Sequence, residues 1–544
     1  MAGAPVLLNS SRCPGLRILN IAFVALMCMA VAGQAAPVKT LVFCSRESPD
    51  TFNPQLTTSQ ATFDASSRQI YDRLVMFDSG SAEIVPALAE SWRISEDGLA
   101  YVFRLRAGVS FHATRGFRPT RELTAEDVVF SFSRQLDRKH PWHGVSGGDY
   151  PYFRGLGLHE LVDSVTAVDE MTVAFRLTRP SASFLAILAM DFASVLSAEY
   201  AGAMLAAGTP ERLDREPVGT GPFMLVQYQR DALIRYVANR KFWRGAPAIE
   251  NLVFAITPDT SVRMQKLRNG ECHVIDEPDP ADLPALFTDP AIRVALQTTA
   301  DLGYLAFNTQ KPVLSDVRVR RALSLAIDRQ AIVDRALGGI GIAASSPLPP
   351  GFRLDKADKA PARHNPERAR QILVDAGYRD LSIDIWAMPV SRPYMRSARR
   401  VAEMIRDDWA AIGVEATITI PDWETFLKHS MVGAHETILF GWIGETLDPD
   451  VFLSPILSCA AATSGANRSR WCDPGFDRLL LEARRATDRA ERETLYDIAL
   501  ERLETEAPLV PLLHSVSFTP LRREVSGYAT SPLGGHYFHG VDLQ

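Results

Sequence analysis

A short alternating segment in the second half of the chain most constrains the fold. In Leu381–Trp386, apolar residues at every second position alternate with polar ones, which is the pattern of a β-strand with one buried face. Pro389 ends this strand because proline has no N–H to donate to a sheet, and Arg392 follows. Open α/β sheets bind their ligands outside the carboxyl ends of the strands. The sequence therefore predicts a cation at such an edge.

A second strand, predicted about fifty residues later, brings an anion to a comparable place. Residues 436–442 (ETILFGW) form this strand, and Glu445 follows its carboxyl end. A ligand with one carboxylate and one ammonium group would suit this pair of side chains.

The N-terminus has the three-part pattern of a secretory signal peptide. Arg12 and Arg17 are the only charges in the first 38 residues, and an apolar run over residues 18–32 is followed by small residues. This run is shorter than the roughly 20 residues of a transmembrane helix. We expect export with cleavage near Ala35, and Met27 before Cys28 disfavours a lipoprotein site.

Charge and size narrow the class of protein. The 544 residues carry a formal net charge of −6, whereas nucleic-acid-binding domains leave a basic footprint. We therefore expect no nucleic-acid partner. Short alternating strands mixed with helices indicate a globular α/β or α+β protein of roughly two to four domains.

Turn, capping and periodicity signals divide the chain into short elements. Thr124 begins a helix with Asp127 as a variant of the capping box, and a helix that begins at Pro366 ends before Gly377. Further helices are predicted over 393–412 and 474–505. Strands are predicted over 39–45, 101–106, 162–168, 171–178, 223–228, 232–237 and 414–420.

Four cysteines remain after the expected signal peptide: Cys44, Cys272, Cys459 and Cys472. Four cysteines allow three pairings, and an oxidising compartment favours disulfides over free thiols. Because no CxxC occurs, the sequence predicts neither a zinc site nor a redox site, and we expect no metal and no cofactor.

An enzyme alternative rests on Gly144–Gly148 (GVSGG), which has the letters of a nucleophile elbow around Ser146. That motif requires a buried strand before it and a helix after it. Here HPWH precedes and DYPYF follows. We therefore predict a glycine-rich loop, and a periplasmic serine hydrolase is the least favoured function.

Many segments of the chain resemble the periplasmic dipeptide-binding proteins, which are solute receptors of ABC importers and belong to family 5 of the extracellular solute-binding proteins. The matching segments are WAMPVSRPY (386–394), GWIGETLDPD (441–450), TLVFCSRESPDTFNPQ (40–55), PALAESWRISEDG (86–98), RELTAEDVVFSFSRQ (121–135), TRPSASFLAILAMDFAS (178–194), PVGTGPF (217–223) and ITPDTSVR (256–263). They occur in the order of the family and span most of the mature chain.

The resemblance implies an α/β fold of the two-lobed periplasmic-binding-protein type, with mixed sheets and a central ligand cleft. After a signal peptide at 1–35, one lobe would comprise residues 36–298 with 516–544, and the other residues 299–515. It also implies the disulfides Cys44–Cys272 and Cys459–Cys472. The function implied is that of a monomeric periplasmic receptor that captures dipeptides by hinge closure and delivers them to an inner-membrane ABC permease.

The resemblance also assigns roles to residues. Arg392 would bind the ligand carboxylate through two parallel N–H donors, and Glu445 would bind the ammonium group. The other residues expected at the cleft are Trp442, Gly444, Trp386, Met388, Thr58, Ala61, Phe63 and Asp64. The two tryptophans could equally be core residues, and Asp448 and Asp450 suit a turn better than a ligand contact. Arg396, Arg399 and Arg400 are expected on the solvated side of a helix.

The chain departs from the family pattern beside the expected ammonium site. Gly444-Glu445 stands where relatives carry Gly-Asp, and Thr446-Leu447 stands where they carry Asn-Gly. The longer acid and the apolar leucine reduce the space for a ligand, and Ala61 and Phe63 replace hydroxyl-bearing residues. A dipeptide is the leading prediction, and the alternative is a modified peptide such as glutathione, or haem.

Overall fold

Most strands of the computed structural model belong to one long sheet, and helices cover it. The structure describes residues 38–78, 83–352, 354 and 364–544. The signal peptide expected at 1–35 lies outside the described residues.

The strands are, in chain order, β1 (Thr40–Ser45), β2 (Val75–Phe77), β3 (Ile84–Pro86), β4 (Ala89–Ile94), β5 (Ala100–Leu105), β6 (Val162–Asp169), β7 (Thr172–Leu177), β8 (Phe223–Gln229), β9 (Leu233–Ala238), β10 (Asn251–Ile256), β11 (Val274–Ile275), β12 (Ile292–Thr298), β13 (Asp301–Phe307), β14 (Gly341–Ala343), β15 (Leu381–Trp386), β16 (Val414–Thr419), β17 (Thr437–Ile443), β18 (Leu509–Arg522), β19 (Val525–Ser526) and β20 (Asp542–Leu543).

The helices are α1 (Gln60–Ala65), α2 (Ala125–Leu136), α3 (Pro151–Gly155), α4 (Leu158–Leu161), α5 (Phe184–Leu188), α6 (Ala198–Ala206), α7 (Arg212–Arg215), α8 (Thr260–Arg268), α9 (Leu283–Thr288), α10 (Pro312–Ser315), α11 (Val317–Ala326), α12 (Arg329–Ala336), α13 (Pro366–Asp375), α14 (Ala398–Ala410), α15 (Trp423–Met431), α16 (Asp450–Leu457), α17 (Cys459–Ser464), α18 (Pro474–Arg485) and α19 (Arg489–Glu506). Within the described ranges, none of them combines the length and the apolar character needed to cross a bilayer.

The long sheet has twelve strands and mixed directions. Its order is β16-β15-β17-β13-β18-β11-β1-β10-β9-β8, and β12 and β14 also pair with β18. Strand β15 runs parallel to β16 and β17, whereas β13 runs antiparallel to β17. A separate antiparallel sheet has the order β4-β5-β7-β6. The expected α/β class with mixed sheets is confirmed.

Strand β18 joins the two parts of the long sheet. Up to Ser515 it pairs with β13 and β14, and from Val516 onward it pairs with β12. The strand itself continues without a break. Its partners therefore change within one continuous strand.

Buried apolar side chains form two large clusters on either side of that point. One cluster comes from residues 300–513, and the other comes from residues 41–274 with 521–541. A smaller cluster surrounds Cys44, Cys272 and Phe518. Each fully buried large apolar side chain contributes about 1.5–3 kcal/mol. Residues 39–544 form one compact unit.

Both disulfides implied by the resemblance are present. Cys44 of β1 is bonded to Cys272, and Cys459 at the start of α17 is bonded to Cys472. The second bond spans 13 residues, and the chain-entropy model values such a loop at about 3 kcal/mol.

Most predicted elements agree with the structure, but one helix begins later than expected. Thr124 and Asp127 form the predicted capping box, and Asn365 caps α13 at Pro366. The helix predicted from residue 393 begins only at Ala398, because the chain first makes a tight turn between Arg392 and Met395. The segment 474–505 forms two helices, α18 and α19.

Candidate ligand-binding site

Two adjoining cavities lie at the carboxyl ends of β15 and β17. The smaller, of about 570 Å³, is lined by Glu445 and is termed the Glu445 cavity. The larger, of about 810 Å³, is lined by Arg392 and is termed the Arg392 cavity. They share Gln60, Ile443, Gly444 and residues 530–533 as lining. Both volumes lie in the usual range for small-molecule sites, roughly 300–1,000 Å³.

Arg392 projects from a tight turn after β15. The main-chain N–H of Arg392 donates to the carbonyl of Met395 at 3.3 Å, and the N–H of Met395 donates back at 3.0 Å. The Arg392 guanidinium lies over the ring of Trp423, with its carbon 4.6 Å from the ring centroid. No hydrogen bond or ion pair links this guanidinium to another described residue. Stacking orients the planar group, so its N–H edge is available to an anion.

Two glycines on neighbouring strands make room for this turn. A Cβ added to Gly441 of β17 would overlap the ring of Tyr394, and one added to Gly303 of β13 would overlap the carbonyl oxygen of Tyr394. Tyr394 is buried and lies inside the turn. Strands β13 and β17 thus fix the position of Arg392, although both are distant from it in sequence.

Glu445 follows β17 at a place where the chain is also tightly packed. A Cβ added to Gly444 would overlap the ring of Phe452, and the N–H of Gly444 donates to the carbonyl of Ala300 at 2.7 Å. The Glu445 side chain is exposed in its cavity and forms no ion pair with a described residue. Partial removal from bulk water raises the pKa of its carboxyl group. A ligand ammonium group would favour the charged form.

Helix α1 brings three expected residues to the cavities. Ala61 and Asp64 line the Arg392 cavity, and Phe63 lines the Glu445 cavity. The Asp64 carboxylate accepts a hydrogen bond from Arg68 at 2.7 Å and another from the main-chain N–H of His536 at 2.7 Å. Asp64 is therefore already occupied within the protein.

Four other expected residues line neither cavity. Trp386 and Met388 are buried in the 300–513 core. Trp442 is half-buried against that core, and its Nε1 donates to the carbonyl of Val451 at 2.6 Å. Thr58 is exposed before α1. The positions of both tryptophans agree with the interpretation that they are core residues. Ligand contact by these four residues stays a prediction.

The two acids of the turn at residues 448–450, Asp448 and Asp450, form ion pairs within the protein. Asp448 pairs with Arg492 at 2.8 Å, and Asp450 pairs with Arg484 at 2.9 Å. Neither acid lines the Glu445 or the Arg392 cavity, which agrees with the turn interpretation. Leu447, just before this turn, is buried and fills part of the Glu445 cavity wall.

A buried charge cluster in the Glu445 cavity wall is not predicted by the sequence analysis. Arg68 pairs with Asp64 at 2.7 Å and with Asp191 at 3.0 Å, and Arg73 pairs with Asp191 at 2.9 Å. Burial pushes the pKa of Asp191 upward, but the two arginines outweigh this effect and lower it. The arginines and Asp191 lie more than a hundred residues apart. The only local signal was a pair of arginines in a largely buried segment.

His536, also unforeseen, lies in the wall of the Arg392 cavity. Its Nδ1 is 2.6 Å from the Tyr528 hydroxyl, and its Nε2 is 3.4 Å from a carboxylate oxygen of Asp276. Burial lowers the pKa of His536, but Asp64 and Asp276 outweigh burial and raise it. Both ring nitrogens therefore already have partners.

One arginine lies where the sequence did not predict it. Arg396 was expected on a solvated helix face, yet it is half-buried and lines the Arg392 cavity. The reason is the late start of α14 at Ala398, which leaves Arg396 in the chain between the turn and the helix. Arg399 and Arg400 are exposed, as expected.

The surroundings of Ser146 do not provide a hydrolase site. Residues 145–147 form a short 3-10 turn in a loop, as predicted, and the Ser146 hydroxyl donates to the carboxylate of Asp214. The nearby His143 uses its Nδ1 on the carbonyl of Arg134. Across the part of the chain that the structure describes, no group of three or more His, Cys, Asp or Glu side chains could hold a metal ion.

Comparison with known proteins identifies the relatives of this chain. Residues 83–464 match the family described as bacterial extracellular solute-binding proteins, family 5 middle. The chain is 48% identical to the dipeptide-binding protein of Escherichia coli over 97% of this chain and 98% of that protein. It is 44% identical to heme-binding protein A of Haemophilus influenzae, over 93% of this chain and 92% of the relative.

Solved structures share the fold. One is the dipeptide-binding protein of Pseudoalteromonas sp. SM9913 in complex with Met-Leu, which is 40% identical. It superposes with a TM-score of 0.69 over 93% of this chain and 100% of that one. The expected two-lobed fold of periplasmic binding proteins is thereby confirmed.

Proposed function

Because this chain belongs to the family 5 bacterial extracellular solute-binding proteins, we propose that it captures a dipeptide or a closely related peptide-like solute and passes it to an ABC permease. Members of this family are receptors for solutes, and the chain is a receptor rather than an enzyme. A free dipeptide carries a carboxylate at one end and an ammonium group at the other. The binding site must therefore supply opposite charges.

One observation carries the proposal. Arg392 and Glu445 have opposite charges, line adjoining cavities with a shared wall, and form no ion pair with described residues. We infer that Arg392 binds the terminal carboxylate and Glu445 the terminal ammonium group. Leaving one partner of a buried, hydrogen-bonded charge pair without its mate costs about 2–5 kcal/mol. Such a pair would select solutes with two free ends.

We also propose the lobe boundaries expected from the sequence. One lobe would comprise residues 36–298 with 516–544, and the other residues 299–515. The change of β18 partners between Ser515 and Val516 supports this division, as do the two separate buried clusters. The chain would pass from one lobe to the other near residues 298 and 515, and these two crossings would form the hinge. Closure of the lobes around them would remove the solute from water.

Haem is a second candidate, since one relative that is 44% identical is named a heme-binding protein. Charged and polar side chains in both cavities favour a zwitterion instead. His536 would be a poor iron ligand, because both of its ring nitrogens have partners. A haem titration followed by absorbance separates the two candidates, and glutathione is tested in the same way by calorimetry.

The setting of the receptor is proposed in the same terms. We infer that the protein is exported to the periplasm, that its signal peptide is cleaved near Ala35, and that it works as a monomer without a nucleic-acid partner. N-terminal sequencing of the exported protein tests the cleavage site. Light scattering of the purified receptor tests the monomer.

Calorimetry with the ligand-free mature protein tests the proposed function. A free-ended dipeptide should bind at a 1:1 ratio, and Arg392→Ala should weaken binding at least tenfold, since hydrogen bonds to charged groups contribute about 1.5–3 kcal/mol. Arg399→Ala removes an exposed arginine of α14 and should change nothing. Unchanged affinity in Arg392→Ala would reject the carboxylate anchor. Mass spectrometry of solute retained through purification would identify the natural ligand.

A further inference from the structure

Arg392 is accompanied by a second arginine on the same cavity wall. Arg396 directly follows the turn closed by the two Arg392–Met395 hydrogen bonds and lines the same cavity as Arg392. The Arg396 guanidinium lies above the ring of Phe518, 5.9 Å from its centroid. It forms no hydrogen bond or ion pair with a described residue. The Arg392 cavity therefore holds two guanidinium groups that no carboxylate of the described residues contacts.

The carboxylates around this cavity are mostly held by other partners. Asp64 binds Arg68, Asp276 lies beside His536, and Glu277 pairs with Arg46 at 2.5 Å. The buried Asp301 accepts from the Thr299 hydroxyl at 2.9 Å and from the Ser515 N–H at 2.8 Å. Asp279 accepts from the N–H of Ala281 at 2.9 Å.

Arg396 is partly removed from water, although no carboxylate of the described residues contacts it. Removal from water lowers the pKa of Arg396, although Asp301, Asp279 and Glu277 favour its charged form. None of these acids lies within 4.0 Å of the guanidinium. A partly desolvated cation without an acidic neighbour in contact is stabilised by an anion that enters the cavity.

We propose that Arg396 binds a second anionic group of the ligand, so that the preferred solute is a peptide with an acidic carboxyl-terminal residue. This inference rests on the proposed function, because it takes the terminal carboxylate to be held by Arg392. The acidic side chain next to that carboxylate then lies within reach of the neighbouring arginine. Arg396 thus sets specificity, whereas Arg392 anchors every free-ended dipeptide.

Two peptides that differ in one charge test this directly. Ala-Glu and Ala-Gln have the same length and nearly the same shape, and calorimetry measures the affinity of the ligand-free mature protein for each. Wild type should bind Ala-Glu at least tenfold more tightly than Ala-Gln. Arg396→Gln should weaken Ala-Glu at least tenfold and Ala-Gln less than about twofold. Arg396→Lys keeps the charge and should restore part of the preference.

Control variants separate this inference from the proposed function. Arg399→Gln, at an exposed position of α14, should leave both affinities unchanged, and thermal unfolding confirms that each variant is folded. An equal loss of affinity for both peptides in Arg396→Gln would overturn the inference. Arg396 would then affect lobe closure through acids such as Asp279 and would not bind the acidic side chain. If Arg396→Gln keeps its affinity for both peptides while Arg392→Gln loses both, the inference is overturned and the proposed function stands. Binding of neither peptide by wild type would overturn both.

Discussion

Glu445 shows how one side chain can set both the charge and the space of a site. It is one methylene longer than the aspartate expected from the family pattern, and buried Leu447 stands close by in the wall of its cavity. The Glu445 cavity also contains Tyr152, whose pKa is raised by burial, so its hydroxyl stays protonated at ordinary pH. Two further titratable residues line this cavity: Asp72, whose pKa is raised by burial, and His539, whose pKa is lowered by burial. A Glu445 variant is therefore needed to isolate the part of the pH response that Glu445 carries.

The first prediction concerns this acid. Because desolvation raises the pKa of Glu445, its carboxyl takes up a proton at a higher pH than a solvated glutamate does. The neutral form does not attract an ammonium group, so dipeptide affinity should be retained above this pKa and lost as the pH falls through it. Glu445→Gln should weaken binding roughly tenfold at about pH 7.5 and remove most of the decline toward about pH 5. Calorimetry across this range measures both effects.

An N-acetylated dipeptide provides the control, because it has no ammonium group for Glu445 to bind. Its affinity should be low and unaffected by Glu445→Gln. If the variant keeps the wild-type pH profile for a free dipeptide, another group, such as His536 behind the Arg392 cavity, carries the pH dependence.

At the scale of elements, glycines in β13 and β17 make room for the turn that follows β15. Gly441 lies in β17 against Tyr394, whose turn presents Arg392. We predict that Gly441→Ala displaces this turn, destabilises the protein by about 1–3 kcal/mol and weakens dipeptide binding. Chemical denaturation and calorimetry measure the two effects.

Gly202 offers a matched control in helix α6. A Cβ there meets nothing within 4 Å, and alanine favours a helix over glycine by about 0.5–1 kcal/mol. Gly202→Ala should thus leave binding unchanged and stability equal or slightly higher. Normal dipeptide binding by Gly441→Ala would show that the Tyr394 contact does not position Arg392.

The same elements show what the sequence could predict. Alternation located β15, the apolar segment 436–442 located β17 within a residue, and a Thr-Asp capping box located α2, because these signals are local. The start of α14 was misplaced because the preceding turn depends on space left by Gly441 and Gly303 in distant strands. The Arg68–Asp191 pair and the inward place of Arg396 also depend on contacts between distant segments. The predicted strand ends drew attention to Arg392 and Glu445 as a pair of opposite charges, and the resemblance assigned their roles.

At the scale of the whole molecule, the covalent links leave the proposed hinge free. Cys44–Cys272 lies within the first proposed lobe, and Cys459–Cys472 lies within the second. The sheet is continuous across the boundary through β18, which pairs with β14 on one side and β12 on the other. A strand with different partners at its two ends can twist between them. The proposed closure therefore requires no disulfide to break.

The last prediction follows from this arrangement. A saturating dipeptide should reduce the radius of gyration measured by solution X-ray scattering, because the lobes close on the solute. Binding to the folded state alone should also stabilise the protein by about 2.7 kcal/mol at a free ligand concentration of 100 times Kd, which raises the Tm. For Arg392→Gln at the same dipeptide concentration, a tenfold loss of affinity would reduce the stabilisation to about 1.4 kcal/mol and a greater loss would reduce it further, whereas Arg399→Gln should show both changes in full. A raised Tm with an unchanged radius of gyration would mean that the solute binds without closure, and the crossings near 298 and 515 would then not act as a hinge.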